Sequence, residues 1–275
     1  MTLRSKTKLN EAAVAACRMS SRSSQAYWLR EGLGFYFDKE LARTGRRADP
    51  AKPPPLKPQI GDLVRLHQLI RQRKCQTVLE FGVGCSTAVI ADALAKNEAE
   101  YRDAPNRPKL RNSNAFRLFS VDTSRHWIDV ARARLPNALR PRVDFTYSPV
   151  VAGTFNGRLC HYYTRLPNVV ADFIYLDGPA AADVTGEVNG LSFAVNERTV
   201  IAADILLMES TLLPGTFILV DGRANNARFL QRNFQRPFSC RYDAEADVTM
   251  FELTEPPLGK REGAQSEWGR SFHAS

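Results

Sequence analysis

From residue 77 to residue 253, short apolar runs alternate with amphipathic ones, and this alternation constrains the fold more than any other feature. "TVLEF" (77–81), "FRLFSV" (116–121), "VDFTYS" (143–148), "DFIYLD" (172–177) and "GTFILVD" (215–221) read as strands. Helical spacing is expected over "IGDLVRLHQLIRQRK" (60–74), "STAVIADALAK" (86–96), "SRHWIDVARARL" (124–135), "RTVIAADILLMESTL" (198–212) and "NNARFLQRNF" (225–234), with Ser124 as an N-cap. Strands that each lead into a helix pair in parallel and are covered on both faces. "FSCRYD" (238–243) and "DVTMFEL" (247–253) are joined too tightly for a parallel crossover, so they form an antiparallel hairpin at one edge. The expected class is α/β: a doubly wound, mostly parallel seven-stranded sheet with that edge hairpin.

The chain divides into a basic extension (1–58), an α/β domain (59–254) and a polar tail (255–275). Residues 1–60 carry +7 of the net +9 charge. Such a segment reads either as a solvated leader or as an arm that touches an anionic partner. "YWLREGLGFYFDKELARTG" (27–45) is a candidate helix docking on the main domain, "DPAKPPPLKP" (49–58) a proline-rich spacer, and residues 1–58 as a whole a candidate lid or homodimer contact. The five cysteines lack a CxxC pair, which favours reduced thiols over a zinc site or disulfide framework. No apolar run approaches the roughly 20 residues of a membrane helix, and "AAVAAC" (12–17) is too short for a signal-peptide core, so a cytoplasmic protein without membrane contact is expected. His67 reads as a packing or surface residue.

Ligands of open parallel sheets bind beyond the carboxyl ends of the strands. Those ends carry Glu80, Gly82, Gly84, Ser86 and Thr87 after strand one, Asp122 and Thr123 after strand two, and Ser148 after strand three. Asp177 and Gly178 follow strand four, and Asp221, Gly222 and Arg223 follow strand five. A dinucleotide site would place a glycine where Thr87 stands and no acid ahead of the turn. Glu80 in that place suits a cation, such as a sulfonium bearing an amino group.

"VLEFGVGCST" resembles motif I of the class I S-adenosylmethionine-dependent methyltransferases, and the resemblance extends over roughly residues 60–253. It implies a Rossmann-like sheet. It also implies that Glu80, Gly82, Gly84, Ser86, Thr87, Asp122, Thr123 and Ser148 hold S-adenosylmethionine, with Asp122 on the ribose hydroxyls. Thirty-eight residues separate Gly84 from Asp122, where about 20 are usual; "NEAEYRDAPNRPKLRNSNA" (97–115) reads as an inserted surface loop. The "LDGP" and "LLPG" stretches are similar to those of small-molecule and sugar O-methyltransferases. Asp177 and Asp221 match the positions that bind Mg²⁺ in catechol-type members, although Gly222 stands where an asparagine would complete the set. Asp177, with Asp221 as partner, is the candidate base or metal ligand. His161, in "GRLCHYYTRLPN" (157–168), is a further catalytic candidate lining an acceptor pocket with Tyr162, Tyr163 and Arg165. The expected reaction is methyl transfer to a hydroxyl of a sugar, glycan or other small acceptor. The alternatives are a nucleic-acid methyltransferase that uses the basic N-terminus, or a catalytically silent cofactor-binding partner.

Overall fold

The computed structural model describes residues 21–34, 59–110 and 112–258. The spacer, residues 35–45 of the candidate docking helix and most of the tail lie outside them. The described residues open with α1 (Ser21–Arg30), α2 (Ile60–Gln72), β1 (Thr77–Phe81), α3 (Cys85–Asp103), β2 (Arg117–Asp122) and α4 (Arg125–Arg134). It continues with β3 (Val143–Tyr147), β4 (Val150–Phe155), β5 (Arg158–Tyr163), β6 (Phe173–Leu176) and β7 (Val184–Thr185). It closes with α5 (Asp204–Met208), β8 (Phe217–Asp221), α6 (Ala224–Asn233), β9 (Phe238–Asp243) and β10 (Val248–Leu253).

Seven strands form the main sheet in the order β3-β2-β1-β6-β8-β10-β9. The first five are mutually parallel, and β10 runs antiparallel to both β8 and β9, as the alternation and the short final connection require. The chain enters at β1, winds outward through β2 and β3, and returns to β6 on the other side of β1. The strand order therefore reverses between β1 and β6, and the crevice at their carboxyl ends is where such a sheet binds ligands.

Alternation along each strand sends side chains to opposite faces. Val78, Leu118, Phe173, Phe217 and Leu219 pack under α2 and α3, with Leu66, Ile70, Ile90 and Leu94. Leu79, Phe81, Val121, Ile174, Ile218 and Val220 form the opposite core with Ile205 of α5 and Leu230 of α6. That second face holds the main departure from expectation. Residues 150–163, to which the sequence assigns no strand, are the β4–β5 hairpin of a second sheet ordered β5-β4-β7. The hairpin turn has Asn156 and Gly157 at φ +49° and +72°. An Asn-Gly pair between two β-rich runs favours a tight turn with both residues at positive φ, and "TFNGRL" carried that signal. Val150, Cys160, Tyr163 and Val184 of this small sheet join the core beside Phe81.

Two helices differ from their expected bounds. α3 extends to Asp103, so residues 97–103 of the expected insert are helix. Its polar residues are anchored: the Asn97 amide donates to the Ile70 and Cys75 carbonyls, and Glu98 pairs with Arg142 at 2.7 Å. The helix expected from residue 198 begins only at Asp204. Residues 201–203 run alongside β5 instead, with the His161 N–H donating to the Ile201 carbonyl and the Ala203 N–H to the His161 carbonyl. Asn226 of α6 fixes Ala202 through both its amide groups. Ser124 caps α4 as expected, accepting from the Trp127 N–H at 3.2 Å.

The described part of the N-terminal segment docks on the domain. Tyr27, Trp28 and Leu33 are buried against Leu63, Val64 and Val89. His67 of α2 is fully buried beneath them, its Nε2 3.0 Å from Asp92 Oδ2 and its Nδ1 2.7 Å from the Tyr27 hydroxyl. A carboxylate only accepts, so Nε2 carries the proton and Nδ1 receives the Tyr27 O–H. His67 thus joins α1, α2 and α3. Burial holds its pKa below the usual histidine value.

Candidate active site

At the switch point the backbones of the β1 and β6 loops meet directly. Gly82 lies at φ +93°, and a Cβ built on Gly178 would fall 2.8 Å from both the N and the Cα of Gly82. Only two glycines permit that approach. The Gly82 N–H donates to the Val121 carbonyl at 2.8 Å and the Asp177 N–H to the Phe81 carbonyl at 3.0 Å, locking three strand ends together. Gly84 differs. A Cβ there would meet only Ser86 Oγ, at 3.8 Å, so its bare backbone faces space that protein does not fill.

Glu80 does not face a ligand, contrary to expectation. It is fully buried; Oε1 accepts from the Ser86 hydroxyl at 2.5 Å, and Oε2 from the hydroxyls of Thr87 at 2.8 Å and Ser120 at 2.6 Å. Complete burial pushes its pKa up to about 7 against the opposing effect of those hydroxyls. The physical reason is position: mid-sheet between Ser120 and Tyr175, its carboxylate must be satisfied internally. Glu80, Ser86 and Thr87 therefore build the turn, and the Thr87 hydroxyl also accepts from the Gly84 N–H. Ser120 was legible only as a hydroxyl inside an apolar strand. Ser148 is likewise fully buried, its hydroxyl accepting from the Arg165 N–H at 2.8 Å and its own N–H donating to the Asp122 carbonyl at 2.9 Å.

Asp122 ends β2. Its Oδ2 accepts from the Val83 N–H at 2.9 Å and its Oδ1 from the Ser124 N–H at 2.7 Å. Each oxygen keeps capacity for a further hydrogen bond. Burial raises its pKa. Thr123 follows it, half-buried.

Asp177 sits at the exposed rim. Desolvation of its carboxyl first, and the Asp221 charge second, push its pKa up to about 7. Asp221 is held by the Tyr175 hydroxyl, which donates to Oδ2 at 2.5 Å. Arg223 clamps the loop, its two Nη atoms donating to the carbonyls of Asp177 at 2.8 Å and Pro179 at 2.9 Å. The Arg65–Asp62 pair of α2 stands beside both acids.

These residues do not fit a divalent-cation centre. Among the described residues, no three His, Cys, Asp or Glu side chains gather as a metal-holding group. One Asp221 oxygen is engaged by Tyr175, and the nearby amides are committed elsewhere: Asn225 to Thr199 and Asn226 to Ala202. The Asp177–Asp221 pair is better suited to raising the basicity of one carboxylate.

His161 lies on β5 rather than in a loop. Its ring is fully buried, edge-on to Phe193 with centroids 5.7 Å apart. Burial and then Arg223 depress its pKa to about 3, so it is neutral and too weak to act as a general base. Tyr162 donates to the Thr154 carbonyl and Arg165 is exposed. No helix among the described residues is long and apolar enough to cross a membrane.

No protein-family model and no curated protein sequence matches this chain. Solved structures do. The O-methyltransferase TomG from Streptomyces achromogenes, in complex with SAM, is 16% identical over 80% of this chain and 90% of its own, with a TM-score of 0.43. The SAH-bound methyltransferase PaMTH1 from Podospora anserina is 14% identical over 93% of this chain and 99% of its own, with a TM-score of 0.45. An O-methyltransferase from Bacillus cereus, in complex with SAH, is 15% identical over 80% of this chain and 90% of its own, with a TM-score of 0.42.

Proposed function

We propose that this protein is an S-adenosylmethionine-dependent methyltransferase acting on a hydroxyl of a small acceptor, with a sugar or glycan first among the candidates. One observation carries the reading: Asp122 reaches over the glycine turn at the point where strand order reverses, and Gly84 leaves unfilled space beside it. When bound, the cofactor supplies a methyl group made electrophilic by positive sulfur. Asp122 would accept the ribose hydroxyls. The first turn of α3 offers backbone N–H groups to the cofactor carboxylate. The acids Asp62 and Asp221 favour a cation nearby.

Asp177 serves as the base that takes the acceptor's hydroxyl proton. A carboxyl near neutral pKa is ionised in part at pH 7 and still basic enough to draw that proton. Asp221, fixed by Tyr175, keeps Asp177 basic, and Arg223 holds the Asp177 backbone in place. The rest of the task is positioning the acceptor oxygen in line with the methyl group.

The test is calorimetric titration with S-adenosylmethionine, S-adenosylhomocysteine and NAD⁺, on the wild type and on Asp122→Asn. Micromolar binding of the first two, weakened in the variant, is expected. Binding of NAD⁺ alone would defeat the reading. Binding without turnover on any hydroxyl acceptor would leave a silent cofactor-binding protein.

A further inference from the structure

The small sheet β5-β4-β7 lies beside the candidate site, and its β5 strand carries polar atoms that the fold leaves unmet. Neither ring nitrogen of His161 has a partner among the described residues, and the same holds for the Tyr163 hydroxyl and for Nε of Arg223. His161 is fully buried and Tyr163 is 5% exposed. They are two residues apart on one strand and so share a face. The His161 ring meets Phe193, the Tyr163 ring lies 5.3 Å from that of Phe81 beside the glycine turn, and both side chains feel the Arg223 charge. Arg223 in turn holds the Asp177 loop. A buried polar atom without a partner costs about 1–3 kcal/mol, and folded proteins leave few of them. Four in one neighbourhood, next to the candidate base, call for a group that fills them.

We propose that His161, Tyr163 and Arg223 form the acceptor-binding wall of this site, and that they take a neutral, hydroxyl-bearing acceptor. The proposal rests on the methyltransferase reading and deepens it. A neutral imidazole offers one donor and one acceptor, a phenol offers both, and a guanidinium nitrogen donates; hydroxyls match all three. Charge selects against an anion. Asp122, Asp183 and Asp204 stand around Tyr163, and Asp62 and Asp221 around Asp177, with Arg223 and Arg65 as the opposing charges. A carboxylate or phosphate on the acceptor would meet net repulsion there. His161 on this reading is a binding residue that orients the acceptor.

The experiment uses the full chain saturated with S-adenosylhomocysteine. Methyl α-D-glucopyranoside and D-glucuronate are titrated by ligand-observed NMR into the wild type, His161→Phe and Tyr163→Phe. The wild type is expected to bind the glucoside more tightly than the glucuronate. Each variant is expected to bind the glucoside about tenfold more weakly, as loss of one well-made hydrogen bond predicts. S-adenosylhomocysteine affinity should stay within about twofold, and melting temperatures should match or exceed the wild type, because removing an unmet polar atom relieves a cost. Unchanged glucoside affinity in both variants, no glucoside binding by the wild type, preference for the glucuronate, or a drop of several degrees in Tyr163→Phe would each overturn the proposal alone. Failure of the wild type to bind S-adenosylhomocysteine would instead overturn the methyltransferase reading and this inference with it.

Discussion

Substituting alanine at two glycines of the switch point separates a structural role from a ligand-facing one. In Gly178→Ala the new Cβ falls 2.8 Å from Gly82 N and Cα, so the β1 and β6 loops must part by about 0.6 Å to restore ordinary contact. Backbone cannot rotate away as a side chain can, and overpacking of this kind costs about 1–3 kcal/mol. For a domain of this size the melting temperature falls about 2–4 °C per kcal/mol, giving a drop of about 2–12 °C. In Gly84→Ala the Cβ meets only Ser86 Oγ at 3.8 Å, and the backbone needs no left-handed φ. The fold loses at most the glycine N-cap preference, about 1 kcal/mol. Its methyl nevertheless enters the space assigned to the cofactor, so S-adenosylhomocysteine affinity should fall at least about tenfold. Differential scanning calorimetry and isothermal titration on both variants read the two effects apart. Wild-type affinity in Gly84→Ala would show that no ligand lies against this turn, and the assignment of the site would be wrong.

Other outcomes follow from individual residues. Asp177→Asn should leave S-adenosylhomocysteine affinity unchanged while lowering kcat by about 10²–10⁴, and the wild-type rate should rise with pH through about 7, a limb the variant lacks. A pH-independent wild-type rate between pH 5 and 9 would rule Asp177 out as the base. Asp204 is fully buried, one oxygen on the Tyr163 N–H and the other unmet, and burial pushes its pKa up to about 7. A raised acid pKa means that the folded state binds the proton more tightly. The associated stability is therefore complete below the unfolded pKa near 4 and is lost as pH rises through about 7. Asp204→Asn should accordingly be favoured over wild type by about 2–3 kcal/mol more at pH 8 than at pH 5 in urea titrations; the opposite slope would refute the assignment. Trp28→Ala should cost about 3–5 kcal/mol, because Trp28 is 4% exposed beneath α2. An unchanged melting curve would mean that α1 is not part of the cooperative unit.

The sequence by itself determined the sheet and the turn that crowns it. Strand and helix periods are local, so β1, β2, β6 and β8 can be read from apolar runs, and Gly82 and Asp122 from where those runs end; the order of the strands in the sheet cannot. The Asn156-Gly157 turn is equally local, and the β4–β5 hairpin follows from it. What only the tertiary structure decided is which strand-end groups are spent inside the fold. Glu80 is the register partner of Ser120, forty positions away in the chain, and the burial of that pair turns an expected ligand contact into a scaffold. Ser148 accepts from the Arg165 N–H in the same way, whereas both ring nitrogens of His161 are left unmet beside Phe193. A carboxylate or imidazole looks the same in sequence whether or not its lone pairs are taken. Partners separated by tens of residues, and the exclusion of water between them, exist only once the chain has packed.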